Sequence, residues 1–207
     1  MRALDQTITI LDFESTGAVA GYRDEPWQIG LVRLAHGRIV ATERFESLLY
    51  VADRPFSRHA PGRHAGLRRQ LARAPRLATL WPHLRPWLSG VPLGGHNVAT
   101  EKRFLTSAFP LHKTGPWIDT LKLARLAHPD LPSHKLGDVL LALNLKKRAD
   151  ALLPGRDAHD ALYDALCSAV LLEHLLAQPA WRDATVTALA TARPAAFHKR
   201  IAQKRSP

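Results

Sequence analysis

Thr7-Ile8-Thr9-Ile10-Leu11-Asp12-Phe13-Glu14-Ser15-Thr16-Gly17 is the stretch on which the rest of the chain depends. It begins as a β-branched apolar run, the signature of a buried strand, and ends in two carboxylates followed by a Ser-Thr-Gly turn signal. Side chains alternate along a strand, so Asp12 and Glu14 project from the face that Ile8 and Ile10 occupy further back. Ionised carboxylates are costly to bury, and a hard cation such as Mg²⁺ or Mn²⁺ would compensate them. The plain alternative is a strand that stops at Leu11 and two acids that open a solvated loop.

Beyond the acidic turn, Trp27 to Leu34 reads as a second strand and Ile39 to Leu49 as a third, joined by the turn signal His36-Gly37. Short connections between them predict an antiparallel meander. The Pro-, Arg- and His-rich text from Asp53 to Pro61 is loop, and Leu67 to Leu71 and Leu77 to Leu88 have helical spacing. Strand and helix then alternate. Val91 to Gly95 and Trp117 to Thr120 read as short strands, with helices over Ala99 to Phe109, Leu121 to Ala127 and Leu136 to Leu143. Strands separated by helices imply parallel crossovers, so the expected fold is α/β around a sheet with an antiparallel half and a parallel half. The longest helix is expected over Ala158 to Ala177 with Asp157 as N-cap, and a last one over Thr185 to Ala192.

The chain has 207 residues with 46% hydrophobic content, enough for one domain with a real core. Lys and Arg number 29 against 18 for Asp and Glu, a formal charge of +11 that favours a polyanionic partner, nucleic acid first. A solubilising surface charge is the bland alternative. Cys167 is the only cysteine, which excludes a disulfide framework and a cysteine-based zinc site. With no apolar leader and no run of apolar residues long enough to span a bilayer, a soluble, cytoplasmic protein is expected. The end of the chain, Phe197-His198-Lys199-Arg200-Ile201-Ala202-Gln203-Lys204-Arg205, is basic. It reads as a frayed terminus or as a nucleic-acid contact, so the division is a domain over 1–192 and a basic tail over 193–207.

Two further polar clusters carry possible chemistry. At Gly94-Gly95-His96-Asn97-Val98-Ala99-Thr100-Glu101 a strand hands over to a helix, Asn97 is a natural N-cap, and Glu101 falls at the end of the first turn. Ordinary capping would explain this cluster if it stood alone. At His159-Asp160-Ala161-Leu162-Tyr163-Asp164-Ala165, helical rotation of about 100° per residue keeps His159 and Asp164 off a common face. His159 is placed at the helix entrance and Asp164 one to two turns in, flanked by Ala161 and Ser168 with room for an ion; a solvated outer-face Asp is the usual alternative.

Asp-x-Glu ending the first strand, His-Asn-x-x-x-Glu after a later strand, and His-x-Ala-x-x-Asp-Ala on a late helix together resemble the motif set of the DnaQ-like, or DEDDh, 3′→5′ exonucleases. This family includes the proofreading epsilon subunit of bacterial DNA polymerase III and ribonuclease T. The resemblance spans about Thr7 to Leu176 and takes in Trp117-Ile118-Asp119-Thr120-Leu121.

The resemblance implies a ribonuclease-H-like fold with a five-stranded mixed sheet, and two divalent ions, Mg²⁺ or Mn²⁺, held by Asp12, Glu14, Glu101 and Asp164. It implies His159 as general base, Ser15, Thr16, Gly17, His96 and Asn97 against the substrate, and release of nucleoside 5′-monophosphates from a nucleic-acid 3′ end, single-stranded DNA being favoured. Three positions depart from the family pattern: Glu101 where Asp is usual, Ala18 where a bulkier apolar residue is usual, and Gln28 where many members carry Glu. They put in question the metal geometry and the unstacking of the terminal base. An exoribonuclease of the same family, and a nucleic-acid-binding or polymerase-associated module without turnover, remain open. No polymerase-tethering linker is evident, which favours a free-standing enzyme.

Overall fold

The computed structural model describes residues 1–60 and 64–193. Its sheet has five strands: β1 (Thr7–Ser15), β2 (Pro26–Ala35), β3 (Arg38–Leu48), β4 (Leu93–Gly95) and β5 (Trp117–Asp119), in the order β3-β2-β1-β4-β5. The pairs β1–β2 and β2–β3 are antiparallel, and β1–β4 and β4–β5 are parallel, as the sequence predicts. The turn between β2 and β3 is the two residues His36 and Gly37, both with positive φ (51° and 70°). That is the geometry of a two-residue hairpin turn whose twist matches the flanking strands.

The helices are α1 (His64–Leu71), α2 (Trp81–Leu88), α3 (Ala99–Ala108), α4 (Thr120–Ala127), α5 (Leu136–Ala142), α6 (Lys146–Leu152), α7 (Ala161–Ala177) and α8 (Val186–Thr191). They cover the sheet on both faces. Ile8, Ile10, Val32 and Leu34 pack with Leu162, Leu166 and Val170 of α7, whereas Leu11, Phe13, Ile29 and Leu31 pack with Leu84 and Leu88 of α2 and Phe104 of α3. Even-numbered positions of β1 therefore face α7, and the period of two carries Asp12 and Glu14 onto that face. Helix α7 is buried almost all round, because α4, α5 and α6 cover the side turned away from the sheet.

Several elements differ from the sequence expectation. Helix α7 begins at Ala161, and its N-cap is Asp160, not Asp157: the Asp160 carboxylate accepts from the Tyr163 amide at 3.2 Å, while Asp157 accepts from its neighbour Ala158. Asn97 does not cap α3; Val98 takes that position without a side-chain bond, and Asn97 adopts φ 67°. Leu77 to Leu88 divides into a 3₁₀ turn over Leu77–Leu80 and α2, with Pro82 in the first turn of α2 where a missing N–H costs nothing. Helix α6 escapes the apolar period because only Ala149 of its seven residues is buried. Of the basic tail, only residue 193 lies within the described residues, so Phe197 to Arg205 falls outside them. No helix among the described residues is long and apolar enough to cross a membrane.

Gly30 sets how closely α7 approaches the sheet. A Cβ there would lie 2.3 Å from the backbone of Leu162, so the two main chains touch. Gly30→Ala is expected to force α7 outward and destabilise the fold by at least about 2 kcal/mol in urea titration, the scale of overpacking against an unyielding wall. Gly137→Ala, which meets nothing within 4 Å, is expected to be neutral or slightly stabilising.

Candidate active site

The cluster is assembled from three elements that end at one edge of the sheet. Strand β1 supplies Asp12 and Glu14, paired with Gly30 and Gln28 of β2. Helix α3 supplies Glu101 from its first turn, and α7 supplies Asp164, also from its first turn rather than one to two turns in. His159 is in the loop before α7 with φ 66°, a left-handed conformation uncommon for residues other than glycine, though His adopts it more readily than most. Its backbone N–H donates to Asp164 Oδ2 at 3.0 Å. Glu14, His159 and Asp164 each offer a ligand atom within 4.8 Å of the others, so these three could hold one metal ion. Asp12 lies outside that trio but is repelled by its Asp164 and Glu14, and Glu101, also outside it, repels Glu14.

Electrostatics sets this cluster apart from a solvated acidic edge. Glu14 is 6% exposed and Glu101 5%. Burial, then repulsion from Asp164, Glu101 and Glu14, pushes the Asp12 carboxyl well above the usual range. Burial, followed by Asp164 and Asp160, raises Glu14 to about 8. Burial raises Glu101 to about 7 against its own backbone hydrogen bond. Burial raises Asp164 to about 6, opposed by the His159 amide and imidazole. Glu101 Oε2 is buried with no hydrogen-bond partner among the described residues. An unpaired buried carboxylate oxygen is rare in folded proteins because it loses its hydration without return. Divalent cations among hard oxygen donors remove both the repulsion and the orphaned acceptor, so the residues present fit that kind of group.

Beside the cluster a cavity of about 440 Å³ runs from Glu14 and Glu101 past Ala18 to His59, His96 and Asn97. Ser15 and Gly17 also line it, whereas Thr16 is 1% exposed and does not. The Thr16 hydroxyl accepts from the Glu25 amide at 3.0 Å. His96 is fixed at both ring nitrogens: Nε2 donates to the His134 carbonyl (2.9 Å), and Nδ1 is 3.0 Å from Thr120 Oγ1.

Sequence reading misses the residues that hold these in place. Asp24 accepts from the Gly17 amide at 2.8 Å and from Arg103 at 2.6 Å, tying the turn after β1 to α3. Asp119 accepts from the amides of Asn97 (2.9 Å) and Leu121 (3.1 Å), which accounts for the left-handed Asn97. Arg156 donates to both Glu46 oxygens (2.8 and 3.0 Å) and to Asp160 (2.6 Å), clamping the His159 loop to β3. Little local marks Asp24 and Arg156, whose partners Arg103 and Glu46 lie on other elements, whereas Asp119 lies in the stretch that carries the family resemblance and caps α4 through Leu121.

A sequence profile of an exonuclease family, RNase_T, matches residues 9–172. The chain belongs to this exonuclease family. DNA polymerase III PolC-type from Bacillus cereus is 27% identical over 176 residues, 83% of this chain and 11% of that protein. A DNA polymerase III subunit epsilon-like protein from Rhodobacter capsulatus is 28% identical over 173 residues, 82% of this chain and 24% of that protein. The chain thus spans a quarter or less of the length of these curated relatives. Exonuclease X, solved in complex with 5′ overhanging duplex DNA, is 26% identical with a TM-score of 0.68, covering 89% of this chain and 98% of that one. The nuclease domain of 3′hExo, a DEDDh family member bound to rAMP, shares the fold at 18% identity and a TM-score of 0.61, covering 85% of this chain and 94% of that one. The DnaQ-like resemblance and the ribonuclease-H-like fold are both borne out.

The raised carboxyls link stability to pH. In the unfolded chain they ionise near about 4, but the folded chain keeps protons on Asp164, Glu101 and Glu14 to about 6, 7 and 8. The folded state therefore binds more protons across this window, and stability present at low pH is lost as pH rises. In EDTA the melting temperature should fall from pH 5 to pH 8 more steeply than that of Glu14→Gln. Mg²⁺ or Mn²⁺ should restore the parent protein more than the variant; parallel melting curves with and without metal would contradict this.

Proposed function

We propose that the protein is a cytoplasmic 3′→5′ exonuclease that removes nucleoside 5′-monophosphates from single-stranded DNA ends by metal-assisted hydrolysis. One observation carries this reading: the buried Glu14 and Glu101 line a nucleotide-sized cavity, Asp164 and His159 reach within metal-ligating distance of Glu14, and an acceptor oxygen of Glu101 is left unpaired among the described residues. A binding module without turnover has no use for so costly a cluster. The DNA named with exonuclease X and the polymerase names of the relatives favour DNA over RNA as substrate. Those names also support an association with a DNA polymerase.

Asp12, Glu14, Glu101 and Asp164 would hold two divalent ions, Mg²⁺ or Mn²⁺. Bound there, the ions would polarise the scissile phosphate and offset charge on the attacking and leaving oxygens. The cavity between Ala18 and Asn97 takes the terminal nucleotide, its wall fixed by the Asp24 bonds to Gly17 and Arg103. His159 is exposed on its loop, so its imidazole can reach the attacking water and take its proton. The Asp164 bond to the His159 amide and the Arg156 clamp restrict where the ring can go.

The test is incubation with 5′-labelled single- and double-stranded DNA and RNA in Mg²⁺, Mn²⁺ or EDTA. Stepwise shortening of single-stranded DNA from the 3′ end, absent in EDTA, is expected; RNA alone being shortened would reassign the substrate. Asp12→Asn and Asp164→Asn should remove turnover while the chain stays folded, and normal turnover by either would sink the assignment.

His159→Ala should lower kcat by roughly 10²–10⁴-fold and flatten the acidic limb of the pH–rate profile. Mn²⁺ affinity should be kept; its loss would make the imidazole a ligand instead. At Glu101, Glu101→Asp should cost about tenfold in rate and Glu101→Gln far more. Parent-like turnover by Glu101→Gln would return this residue to a capping role.

A further inference from the structure

A cavity of about 690 Å³ opens away from the carboxyl cluster, at the other end of the connection from β1 to β2. Gly17 and Ala18 of that connection line the nucleotide cavity, whereas Arg23, Asp24 and Glu25 line this one. Helix α3 is shared in the same way, with Glu101 in the first cavity and Arg103 in the second.

Positive charge dominates the second cavity. Arg23, Arg76 and Arg103 border it above a floor that includes the buried Leu77 and Phe104. Its two acids are already paired, Glu25 with Arg54 at 2.8 Å and Asp24 with Arg103 at 2.6 Å. Arg23 and Arg76 are exposed, and neither guanidinium has a carboxylate partner among the described residues. The Arg76 guanidinium carbon lies 4.5 Å from the centre of the Tyr50 ring, a stacking that supports the group without using its N–H donors. Forked guanidinium donors match the oxygens of a phosphate, and a phosphate has enough oxygens to engage more than one of them.

We propose that this cavity binds phosphate groups, and that filling it weakens the hold of the nucleotide cavity on a strand end. The link is the Asp24 carboxylate. One of its oxygens accepts from Arg103 at 2.6 Å, and the other accepts from the Gly17 amide at 2.8 Å in the wall of the nucleotide cavity. The Arg103 side chain is 52% exposed, so its guanidinium can swing toward a phosphate held by Arg23 and Arg76. Asp24 then loses its cation, and the Gly17 turn loses its tie to α3. Such coupling is reciprocal, so a nucleotide in the first cavity weakens phosphate binding in the second by the same factor. Phosphate binding stands independently of the exonuclease reading, whereas its effect on cutting rests on that reading.

The test begins with calorimetric titration of inorganic phosphate and of dAMP into the full chain in EDTA, where the carboxyl cluster has no cation with which to hold an anion. Millimolar or tighter binding is expected, weakened about tenfold in Arg76→Ala and in Arg23→Ala, the scale of one charge-assisted hydrogen bond. Displacement of dAMP by a closed dumbbell duplex, which has no 3′ end, assigns the site to a nucleic-acid backbone; no displacement assigns it to the free monophosphate. In Mg²⁺ at constant ionic strength, phosphate should raise KM for a short 5′-labelled single strand about fivefold in the parent. Arg76→Ala should cut that strand like the parent without phosphate and show a rise below about twofold with it. Equal affinity in the parent and both variants, or no binding at about 20 mM phosphate, overturns the site. An equal rise in KM in the parent and Arg76→Ala overturns the coupling. A parent protein that binds phosphate but shortens no strand overturns the exonuclease reading and leaves the phosphate site in place.

Discussion

Main chain touches main chain where α7 crosses β2, and the placement of Asp164 and the His159 loop against the end of β1 depends on that contact. Residue 30 has no side chain, so α7 settles directly on the strand paired with β1. The close approach puts the first turn of α7 beside the last residues of β1, where Asp164 and the His159 loop can meet Glu14. A Cβ at position 30 would lift the helix, and with it one of the three elements that form the cluster. The apolar residues of α7 then hold it down, since nearly all of them are buried between the sheet and α4 to α6.

Closeness concentrates negative charge. Asp12, Glu14, Glu101 and Asp164 are each pushed upward in pKa, with burial as the largest cause. A fold that tolerates this needs anchors beyond the cluster, and the structure has three. Asp24 ties the turn after β1 to α3, Asp119 ties Asn97 to the start of α4, and Arg156 ties the His159 loop to β3. Each spans two elements, so the carboxyls cannot relax apart by shifting a single loop. Confined in this way, they would be preorganised for the divalent cations proposed above.

The sheet was readable because β-branched runs, turn signals and the spacing of helices each point to one element, and the mixed topology follows from which connections are short. Asp12 and Glu14 stood out for the same reason, as acids on the buried face of a strand. What could not be read depends on contacts distant in sequence. Asp160 and Asp157 look alike as helix caps, and bonds from Gln28 and Arg156 are what favour Asp160. Asn97 has the composition of a cap but is drawn into a left-handed turn by Asp119, 22 residues later. Helix α6 has no apolar stripe because Tyr163 and Lys146 hold its Asp150 through polar bonds instead. Asp24 and Arg156 gave no signal, since an acid or a base in a loop has meaning only once its partner is beside it.

The central claim is that the carboxyl cluster is built around divalent cations. Calorimetric titration of Mn²⁺ into the parent protein at pH 7, repeated in buffers of different ionisation enthalpy, tests it without any substrate. Carboxyls that hold protons near neutrality must give them up when an ion enters, so binding should be accompanied by proton release that diminishes in Glu14→Gln and again at pH 9. Mn²⁺ binding that releases no proton at pH 7, or no binding to the folded parent at millimolar metal, would contradict the account.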